Sequence, residues 1–577
     1  MQNIIYVWVN NFACFKEKPA EYNLSSFYST KFDYEKKLLS ICETENMNVM
    51  SFLFGDNNVI SDYAIVVGEN GSGKTTLFRF LFDILQGRQF EKTKYLILFK
   101  FDKGTSNPEF GYLSNINQIT SNKHCTQIKE LFSIAWQRTL IYYSPVFAAM
   151  HQIIPLGDFR DISTTYLLKK DVEKYCNTLS NTDCSMSQVE AHLRMDNSRV
   201  VKFLMSKEYK KLGKIEGLIL PTHISVKARE IETIIDNDIL TRRNDDGELG
   251  RLIDNVKLWL EKHNNLLNRI YSALFLEYIS MYYKPDSDVD HQRFSKAILD
   301  ALDSAKMRDT DFQLNIDVFF NHLITCVNKE FETPSYDINN IENIKLFLQK
   351  AKDIFNSIEG NDKEKLCFSI KDLTTNDEAF FDSYFKIGVI KDFLVFGFYP
   401  YLSTGEYLYL TFFSRVYECF ISSIKDYQSK FTFFLDEFET TLHPSLQRSA
   451  VYCIASFLNQ LITIAFPNKR VSIQLIFASH SPMLLSDFQE CSVTRLKKGG
   501  NQGTNTRSKV FAANIYDLYK DSFFLNFPTG ELSKRLIQKA IETSDERIVK
   551  MVADPILRNM IKATIAHKTK KANTEKV

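Results

Sequence analysis

The chain has 577 residues, of which 44% are hydrophobic and 24% are charged, so it can form a large core and more than one domain. Lys and Arg together number 71 and Asp and Glu together number 70, and this balance excludes a whole-chain electrostatic field that would select nucleic acid, membrane or an acidic ligand. The N-terminus lacks the pattern of a signal peptide, and no apolar run approaches the roughly 20 residues of a membrane helix, so we expect a cytoplasmic protein with no membrane partner.

Strand patterns dominate the first 150 residues. β-Branched and aromatic residues at 4–9 and an apolar stretch at Val49–Phe54 predict short strands. A β-branched run at 63–67 ends in glycine and precedes an apolar segment at 75–85, which predicts a buried strand, a loop and a buried helix. Two more strands are predicted at Lys94–Phe101 and Thr139–Tyr143. We therefore expect residues 1–150 to form the N-terminal lobe of an α/β head with a mixed sheet.

The character of the sequence changes after about residue 150. Residues 151–384 are rich in Asn, Asp, Lys and Glu and have helical periodicity, which predicts a large, mainly helical insertion. Within it, a near three-four spacing of apolar residues is formed by Ile253, Val256, Leu260, Leu267, Ile270, Leu274 and Met281. Two explanations fit this pattern: an amphipathic helix packed on its own domain, or a helical arm that pairs with another chain.

Strand and helix patterns alternate again from residue 385. Strands are predicted at 385–390, 393–398, 431–435 and 471–477, with a helix at 406–424 and another after Pro444. We expect residues 385–500 to form the C-terminal lobe of the head. Residues 501–577 are predicted to be a helical segment that ends in a basic tail.

A glycine-rich loop follows the strand at 63–67. Residues 68–75, Gly-Glu-Asn-Gly-Ser-Gly-Lys-Thr, fit the pattern GxxxxGK[ST] between a predicted strand and a predicted helix. Backbone N–H groups of such a loop cradle phosphates, the lysine reaches the β- and γ-phosphates, and the Thr75 hydroxyl ligates Mg²⁺. The residues expected to bind nucleotide here are Gly68, Asn70, Gly71, Ser72, Gly73, Lys74, Thr75 and Thr76.

Two carboxylates close the apolar strand at 431–435. Asp436 and Glu437 would lie at the C-terminal edge of a parallel sheet, beside the phosphate loop. Asp436 can hold the Mg²⁺ shell, and Glu437 can polarise the attacking water. An apolar strand that ends in Asp-Glu is also common as an ordinary strand exit, so this prediction depends on the phosphate loop.

A second anion-binding sequence, Leu-Ser-Thr-Gly-Glu at 402–406, stands at the start of a predicted helix. The Ser403 hydroxyl, the Gly405 backbone and the helix N-terminus can bind a phosphate, with Glu406 completing the motif. An ordinary Ser-Thr helix cap would have the same sequence. A fourth feature is His480, which closes another apolar strand before Pro482; a histidine at a strand end can also be purely structural.

Together these four motifs, over residues 68 to 482, resemble the ABC-type ATPases of the SMC, RecF and RecN circle. The resemblance implies ATP and Mg²⁺ as cofactors, Glu437 and His480 as catalytic residues, and His480 as the switch residue near the γ-phosphate. It also implies a homodimer or higher even oligomer, in which Ser403 and Gly405 act in trans on nucleotide held by the second copy. The Mg²⁺-contacting glutamine of the family is not placed, and Gln152 is a weak candidate.

The run at 436–444, Asp-Glu-Phe-Glu-Thr-Thr-Leu-His-Pro, is similar to the DEPE…LHP run of compact bacterial AAA ATPases in anti-phage systems. These include the Septu and retron-associated ATPase and the OLD family. The family usually has Pro where Phe438 stands. Glu439 and His443 occupy the stretch where the D-loop of the superfamily contacts the partner subunit.

The leading hypothesis is an ATP-driven sensor or switch in anti-phage defence that controls a separately encoded effector such as a nuclease. No nuclease is expected in this chain, because the strand pattern at 491–498 ends in cations where a TOPRIM nuclease needs a carboxylate. The alternative is a DNA-repair or chromosome-associated ATPase of the RecF or SMC kind that clamps DNA. Nucleic-acid contact stays open at two basic clusters: Lys202, Lys207, Lys210, Lys211 and Lys214, and Lys568, Lys570 and Lys571.

Overall fold

The computed structural model of the chain describes most of its residues. The described ranges are 2–15, 18–101, 109–128, 138–147, 159–176, 187–235, 248–284, 289–308, 312–331, 336–357, 364–388, 390–423, 428–497, 500–501, 509–524, 530–543 and 545–574. They form an α/β protein with several mixed sheets and many helices.

The strands are numbered here in chain order. They are β1 Gln2–Asn10, β2 Ala20–Asn23, β3 Tyr28–Asp33, β4 Leu38–Glu43, β5 Ile60–Gly68, β6 Lys94–Phe101, β7 Glu109–Ser114, β8 Thr120–Ser121, β9 Cys125–Gln127, β10 Thr139–Tyr143, β11 Phe159–Asp161, β12 His223–Ala228, β13 Leu366–Ser369, β14 Leu394–Tyr399, β15 Gln428–Asp436, β16 Arg470–Ser479, β17 Val493–Lys497 and β18 Gly500–Asn501.

The largest sheet within the described ranges has seven strands in the order β11-β10-β15-β16-β5-β17-β18. Neighbouring strands are parallel, except that β17 and β18 are antiparallel. The C-terminal ends of β5, β15 and β16 therefore share one edge, and β16 lies between the other two. At the register level, Leu435 is opposite Phe477, which is opposite Ile65.

The described residues also form three smaller sheets. Their orders are β2-β1-β6-β7-β9, β13-β12-β14 and β3-β4-β8. The sheet β13-β12-β14 joins strands from residues 223–228 and 366–369 of the predicted insertion to β14 of the predicted C-terminal lobe. β11, also within 151–384, pairs with β10 at the edge of the main sheet. The predicted insertion thus contributes strands to two sheets as well as helices.

The longer helices in the described ranges have eight or more residues each. They are Lys74–Leu85, Thr164–Cys176, Gln188–Met205, Glu248–Lys262, Leu266–Tyr282, Val289–Ser304, Ile316–Glu330, Tyr336–Ser357, Thr375–Lys386, Thr404–Ser423, Ala450–Ala465, Glu531–Thr543 and Pro555–Thr574. Short helices lie at Val49–Phe54, Lys207–Lys211, Ile231–Ile235, Pro444–Arg448, Pro482–Leu485, Ile515–Asp521 and Glu546–Met551.

The apolar side chains of β15 explain its central place. Phe433 and Leu435 point into the core shared with the insertion, whereas Phe434 points into the core that contains the helix Lys74–Leu85. A strand buried on both faces reads as a nearly continuous apolar run. Burial on both faces fixes the register, and the register places Asp436 at the sheet edge.

Two strand predictions are wrong. Val49–Phe54 is a helix, capped by the Asn48 side chain at its start and by Gly55 with φ 76° at its end. The predicted strand at 385–390 overlaps the helix Thr375–Lys386, which begins with a capping box between Thr374 and Asp377. At Val49–Phe54 the capping residues outweigh the strand propensity of the apolar run. At 385–390 the helix continues through Lys386, and the described residues from 387 to 390 form no strand.

The three-four pattern of the insertion belongs to two helices. Glu248–Lys262 and Leu266–Tyr282 are separated at residues 263–265, and Ile253, Val256, Ile270 and Leu274 are buried in the core of the same chain. These residues therefore pack on their own domain, as the first of the two explanations predicted. Over the described residues, no helix is long and apolar enough to cross a membrane.

Candidate functional site

The glycine-rich loop connects β5 to the helix Lys74–Leu85. Gly73 precedes the helix with φ 104°, so the chain turns through the left-handed region just before Lys74. The Lys74 side chain is buried, and its Nζ donates hydrogen bonds to the carbonyl oxygens of Gly68 at 3.2 Å and Glu69 at 3.1 Å. Burial lowers the pKa of Lys74 to about 8, opposed by the nearby carboxylates Glu437 and Asp436. A ligand with negative charge would offset this desolvation.

Close packing leaves no room for a side chain at two positions of the loop. A Cβ on Gly68, where φ is +150°, would stand 2.0 Å from the Leu496 carbonyl oxygen of β17. A Cβ on Gly73 would stand 2.4 Å from Cζ of Phe15 and 2.8 Å from Sγ of Cys14. The loop is thus held between the edge of the main sheet and the turn that follows β1.

Asp436 lies at the end of β15 and is 4% exposed. Its Oδ2 accepts a hydrogen bond from the Tyr142 hydroxyl at 3.0 Å, and the Thr75 hydroxyl lies close enough to favour the charged carboxylate and lower its pKa. Its Oδ1 is buried and has no partner in the described part of the chain. Burial raises the pKa of Asp436 to about 7, against the hydrogen bonds from Thr75 and Tyr142.

These donors fit a Mg²⁺ ion. The unpartnered carboxylate oxygen of Asp436 and the hydroxyl of Thr75 are hard oxygen ligands, and Mg²⁺ typically takes one or two protein ligands and completes its shell with phosphate and water. Across the described residues, no group of three or more His, Cys, Asp or Glu could hold a metal by itself. The chemistry of the donors therefore matches an ion that arrives with a phosphate ligand.

Glu437 and His480 face each other across β15 and β16. Glu437 adopts φ 51°, and its N–H donates to the Ala478 carbonyl at 2.9 Å. The His480 Nε2 stands 3.8 Å from Glu437 Oε1. Burial, and then the charge of Lys74, lower the pKa of His480 to about 4. The imidazole is therefore neutral at pH 7, and the contact with Glu437 is no ion pair.

Glu439 lies buried between the ends of β15 and β16. The side chain is 5% exposed, and its Oε1 accepts hydrogen bonds from the Ser479 hydroxyl at 2.6 Å and the His480 N–H at 2.7 Å. Its Oε2 is buried without a partner among the described residues. Glu439 therefore joins β15 to β16 within one chain, and the contact of the stretch at 436–444 with a partner subunit stays a prediction. His443 is exposed and caps the helix Pro444–Arg448.

One cavity of about 760 Å³ brings most of the predicted site residues together. Its walls include Asn70, Gly71, Gly73, Lys74, Thr75, Thr76, Glu437 and His480 from the prediction, and also Cys14, Glu439, Thr440, Gln447, Ser481, Pro482 and Tyr519. Gly68, Ser72 and Asp436 are buried next to these residues rather than in the walls. Sequence reasoning missed the wall residues outside the motifs, and no spacing in the sequence indicated them.

The Ser403 loop, residues 402–405, does not line this cavity. Ser403 caps the helix Thr404–Ser423: its N–H and its hydroxyl both donate to Glu406 Oε2 at 2.8 Å, and the Glu406 N–H donates to the Ser403 hydroxyl at 3.3 Å. A Cβ on Gly405 would stand 2.7 Å from Cδ1 of Leu446, so the loop packs against the segment that follows the carboxylates. Ser403 is exposed, Glu406 is half-buried and Gly405 is buried, and all three lie outside the cavity walls of this chain.

No protein-family model matches the chain, and no curated protein is significantly similar to it. The assignment of a function therefore depends on the residues themselves.

The other residues singled out in the sequence are Gln152 and the two basic clusters. Gln152 lies outside the described residues, as do the side chains of Lys568, Lys570 and Lys571. Lys210 forms an ion pair with Glu378 at 3.2 Å. Lys202, Lys211 and Lys214 are exposed. Tyr142, which donates to Asp436, was not predicted as a site residue, although its strand was.

Proposed function

We propose that this chain binds ATP with Mg²⁺ and hydrolyses it, and that two copies complete each other's sites. The observation that carries the proposal is the convergence of Lys74, Thr75, Glu437 and His480 on one cavity, with the unpartnered oxygen of Asp436 beside it. These residues come from the ends of three adjacent parallel strands, where ligands of open α/β sheets bind.

Each residue has a role that its surroundings support. The backbone N–H groups after Gly68 and the Lys74 ammonium bind the phosphates, and Thr75 and Asp436 would hold Mg²⁺. When bound, Mg²⁺ neutralises charge that develops on the phosphate oxygens. Glu437 orients and deprotonates the attacking water, because its carboxylate reaches the cavity near Lys74. Neutral His480 can accept or donate a hydrogen bond at the γ-phosphate.

Pairing of two copies is supported by the position of the Ser403 loop. In one chain it does not line the cavity, yet it carries a helix N-terminus with a serine hydroxyl, and such groups can bind a phosphate. A head-to-tail pair would bring the loop of each copy to the nucleotide of the other. This arrangement has twofold symmetry and therefore forms a closed dimer.

For the biological role, we propose a sensor or switch in bacterial anti-phage defence that controls a separately encoded effector. The support is the resemblance of the run at 436–444, together with motifs that are confined to nucleotide chemistry. A DNA clamp with a long coiled-coil arm gains no support from the insertion, whose apolar repeat is buried in two helices of 15 and 17 residues.

The experiment for the enzymatic proposal is a measurement of ATP binding and phosphate release. Lys74→Ala is expected to abolish nucleotide binding, whereas Glu437→Gln is expected to bind ATP, lose turnover and accumulate as a closed pair. Lys214→Ala, an exposed lysine outside the cavity, is the matched control. Normal hydrolysis by the Glu437→Gln protein would refute the assigned base.

The experiment for the biological role uses the products of neighbouring genes. We expect one of them to bind the chain in an ATP-dependent manner and to change its activity. An active ATPase that neither binds nor regulates any of them contradicts the switch. DNA binding with a steep salt dependence, strengthened by ATP, would favour the clamp instead.

A further inference from the structure

Charged side chains are buried where the insertion meets the helix Thr404–Ser423. Arg415, which is 4% exposed, lies on this helix and forms a bidentate contact with Asp196 of the helix Gln188–Met205. Its other donors reach the Ile162 carbonyl oxygen and the Thr164 hydroxyl, both at 3.2 Å, and it stands 3.2 Å from His192 Nε2. Every nitrogen of this guanidinium therefore faces the insertion or the end of β11.

The contact extends into a network. Arg199 donates to Asp196 Oδ1 at 2.8 Å and to Asp171 Oδ2 at 3.0 Å, and Asp171 Oδ2 is 2.8 Å from His192 Nδ1. Arg199 Nε also donates to Glu418 of the helix Thr404–Ser423 at 3.0 Å. We call the five buried residues Asp171, His192, Asp196, Arg199 and Arg415 the Arg415 network. Two helices of the insertion are thereby tied to one helix of the head.

Such a network fixes geometry rather than adding net stability. Burying ion pairs carries a desolvation penalty comparable to their attraction, but removing one partner leaves an uncompensated buried charge. The alternatives to the observed arrangement are therefore strongly disfavoured. The helix Thr404–Ser423 cannot slide or rotate against the insertion without breaking several of these bonds.

The same helix carries the Ser403 loop at its start. Arg415 is twelve residues from Ser403, which is about 18 Å along a helix. Between them, the Tyr407 hydroxyl is 3.4 Å from Asn197 Oδ1 of the helix Gln188–Met205, and the Tyr409 hydroxyl donates to the Leu446 carbonyl oxygen at 3.1 Å. A rigid helix thus connects the insertion to the loop and to the segment after the carboxylates.

We propose that the insertion positions the Ser403 loop through the Arg415 network, so that Arg415 and Asp196 are positioning residues for the site completed in the second copy. This inference rests on the proposed function, in which the Ser403 loop acts in trans. Rearrangement of the insertion would then change turnover without touching the cavity in which a single copy binds ATP.

The test compares Arg415→Gln and Arg415→Lys with the wild type. For Arg415→Gln we expect kcat to fall at least about tenfold, because misplacement of about 1 Å is enough for such a loss. Binding of ATP to the single chain, through Lys74, should change by no more than about twofold. ATP-driven pairing of the Glu437→Gln protein should also weaken when Arg415→Gln is added, and Arg415→Lys should recover part of the activity.

Arg194→Gln is the matched control. Arg194 is 1% exposed on the same helix as Asp196, and its guanidinium bonds to Asp392 at 2.6 Å and to the carbonyl oxygens of Tyr384 and Ile387, which precede β14. It should lower thermal stability but leave kcat within about twofold. The double variant Asp196→Asn/Arg415→Gln removes both charges and serves if Arg415→Gln alone does not fold.

The outcomes separate the two proposals. Equal losses of kcat in Arg415→Gln and Arg194→Gln, or wild-type turnover in a folded Arg415→Gln or double variant, overturn the inference alone. A wild-type chain that folds and does not hydrolyse ATP overturns the proposed function and the inference with it.

Discussion

Glu439 connects the strand that carries the carboxylates to the strand that carries His480. One oxygen of its carboxylate, Oε1, accepts hydrogen bonds from both the Ser479 hydroxyl and the His480 N–H. These groups are all buried or half-buried. Buried donors without an acceptor are unfavourable by about 1 to 3 kcal/mol each. The orientation of the His480 backbone therefore depends on this carboxylate.

We expect Glu439→Ala to reduce ATP turnover by about tenfold or more, through displacement of His480, while ATP still binds through Lys74. Glu439→Gln keeps an accepting oxygen and should retain most of the protein's thermal stability. Steady-state kinetics and a nucleotide-binding titration check both expectations. Lys214→Ala, an exposed residue outside the cavity, is the control and should behave as the wild type.

Glu277, in the insertion, makes stability depend on pH. Burial raises the pKa of its carboxyl from 4.5 to about 7, partly opposed by Arg229 at 3.2 Å. The folded state binds this proton more tightly than the unfolded chain does. Protonation of Glu277 therefore contributes its full stabilisation below pH 4.5, and this stabilisation is lost as the pH rises through about 7. The loss amounts to roughly 3 kcal/mol.

Glu277→Gln should therefore reduce the fall in melting temperature between pH 5 and pH 8. The measurement is thermal unfolding of both proteins across this range. If the melting temperatures of the two proteins depend on pH in the same way, Glu277 has its ordinary pKa.

At the residue scale, the sequence predicted which residues converge on the cavity better than it predicted the side chains that support them. The phosphate loop, Asp436, Glu437 and His480 were identifiable because each follows an apolar strand in a recognisable order. Glu439 and Tyr142 were not assigned these roles, because a bond between β15 and β16, or between β10 and β15, depends on strand order that local sequence does not specify.

At the scale of the secondary-structure elements, β5 and β17 constrain the start of the glycine-rich loop. Leu496 pairs with Gly68, and the Glu69 N–H donates to the Leu496 carbonyl at 3.2 Å. The Cβ of an alanine at 68 would collide with this backbone oxygen, which cannot move aside without breaking the strand pair.

Gly68→Ala should therefore destabilise the fold by about 3 kcal/mol or more, as overpacked sites do. Gly71→Ala is the matched comparison, because Gly71 has φ +74° but nothing within 4 Å of a Cβ. It should lose only about 1 to 2 kcal/mol, from the left-handed backbone. Thermal unfolding without nucleotide measures both, and equal destabilisation would contradict the close contact at Gly68.

The positions of strands buried on both faces followed the apolar patterns, as for β5, β15 and β16, although β5 and β15 begin three residues before their predicted starts at 63 and 431. The patterns were misleading at Val49–Phe54, where Phe52 is 76% exposed and the helix is set by Asn48 and Gly55. The strand pairing of the insertion was not predictable either, since β12 pairs with β13 and β14, which lie far from it in sequence. Pairing at such distance leaves no local signal.

At the scale of the whole molecule, the central prediction is that catalysis needs two chains. Lys74→Ala inactivates the cavity and leaves the Ser403 loop intact, whereas Ser403→Arg changes an exposed loop and leaves the cavity intact. Each variant alone should be inactive. In an equal mixture, about half of the pairs contain one copy of each variant. Each mixed pair has one intact site and one inactive site. About a quarter of the wild-type activity should therefore return.

ATP hydrolysis in the mixture, measured against each parent protein at the same total concentration, checks this prediction. A mixture no more active than its parents would show that the Ser403 loop does not complete the site of a second chain. A mixture of Lys74→Ala with Glu437→Gln is the control, because both changes lie in the same cavity.

The hydrogen bonds of Glu406 have a consequence for how such a pair could form. Both groups that Ser403 could offer to a phosphate, its N–H and its hydroxyl, are already donated to a carboxylate of the same helix. An incoming nucleotide must therefore compete with a resident anion. A terminal γ-phosphate carries more charge than a carboxylate and would compete better for these donors. ADP lacks this phosphate and would not displace the Glu406 carboxylate. The loop would therefore favour separation of the pair after each ATP is hydrolysed.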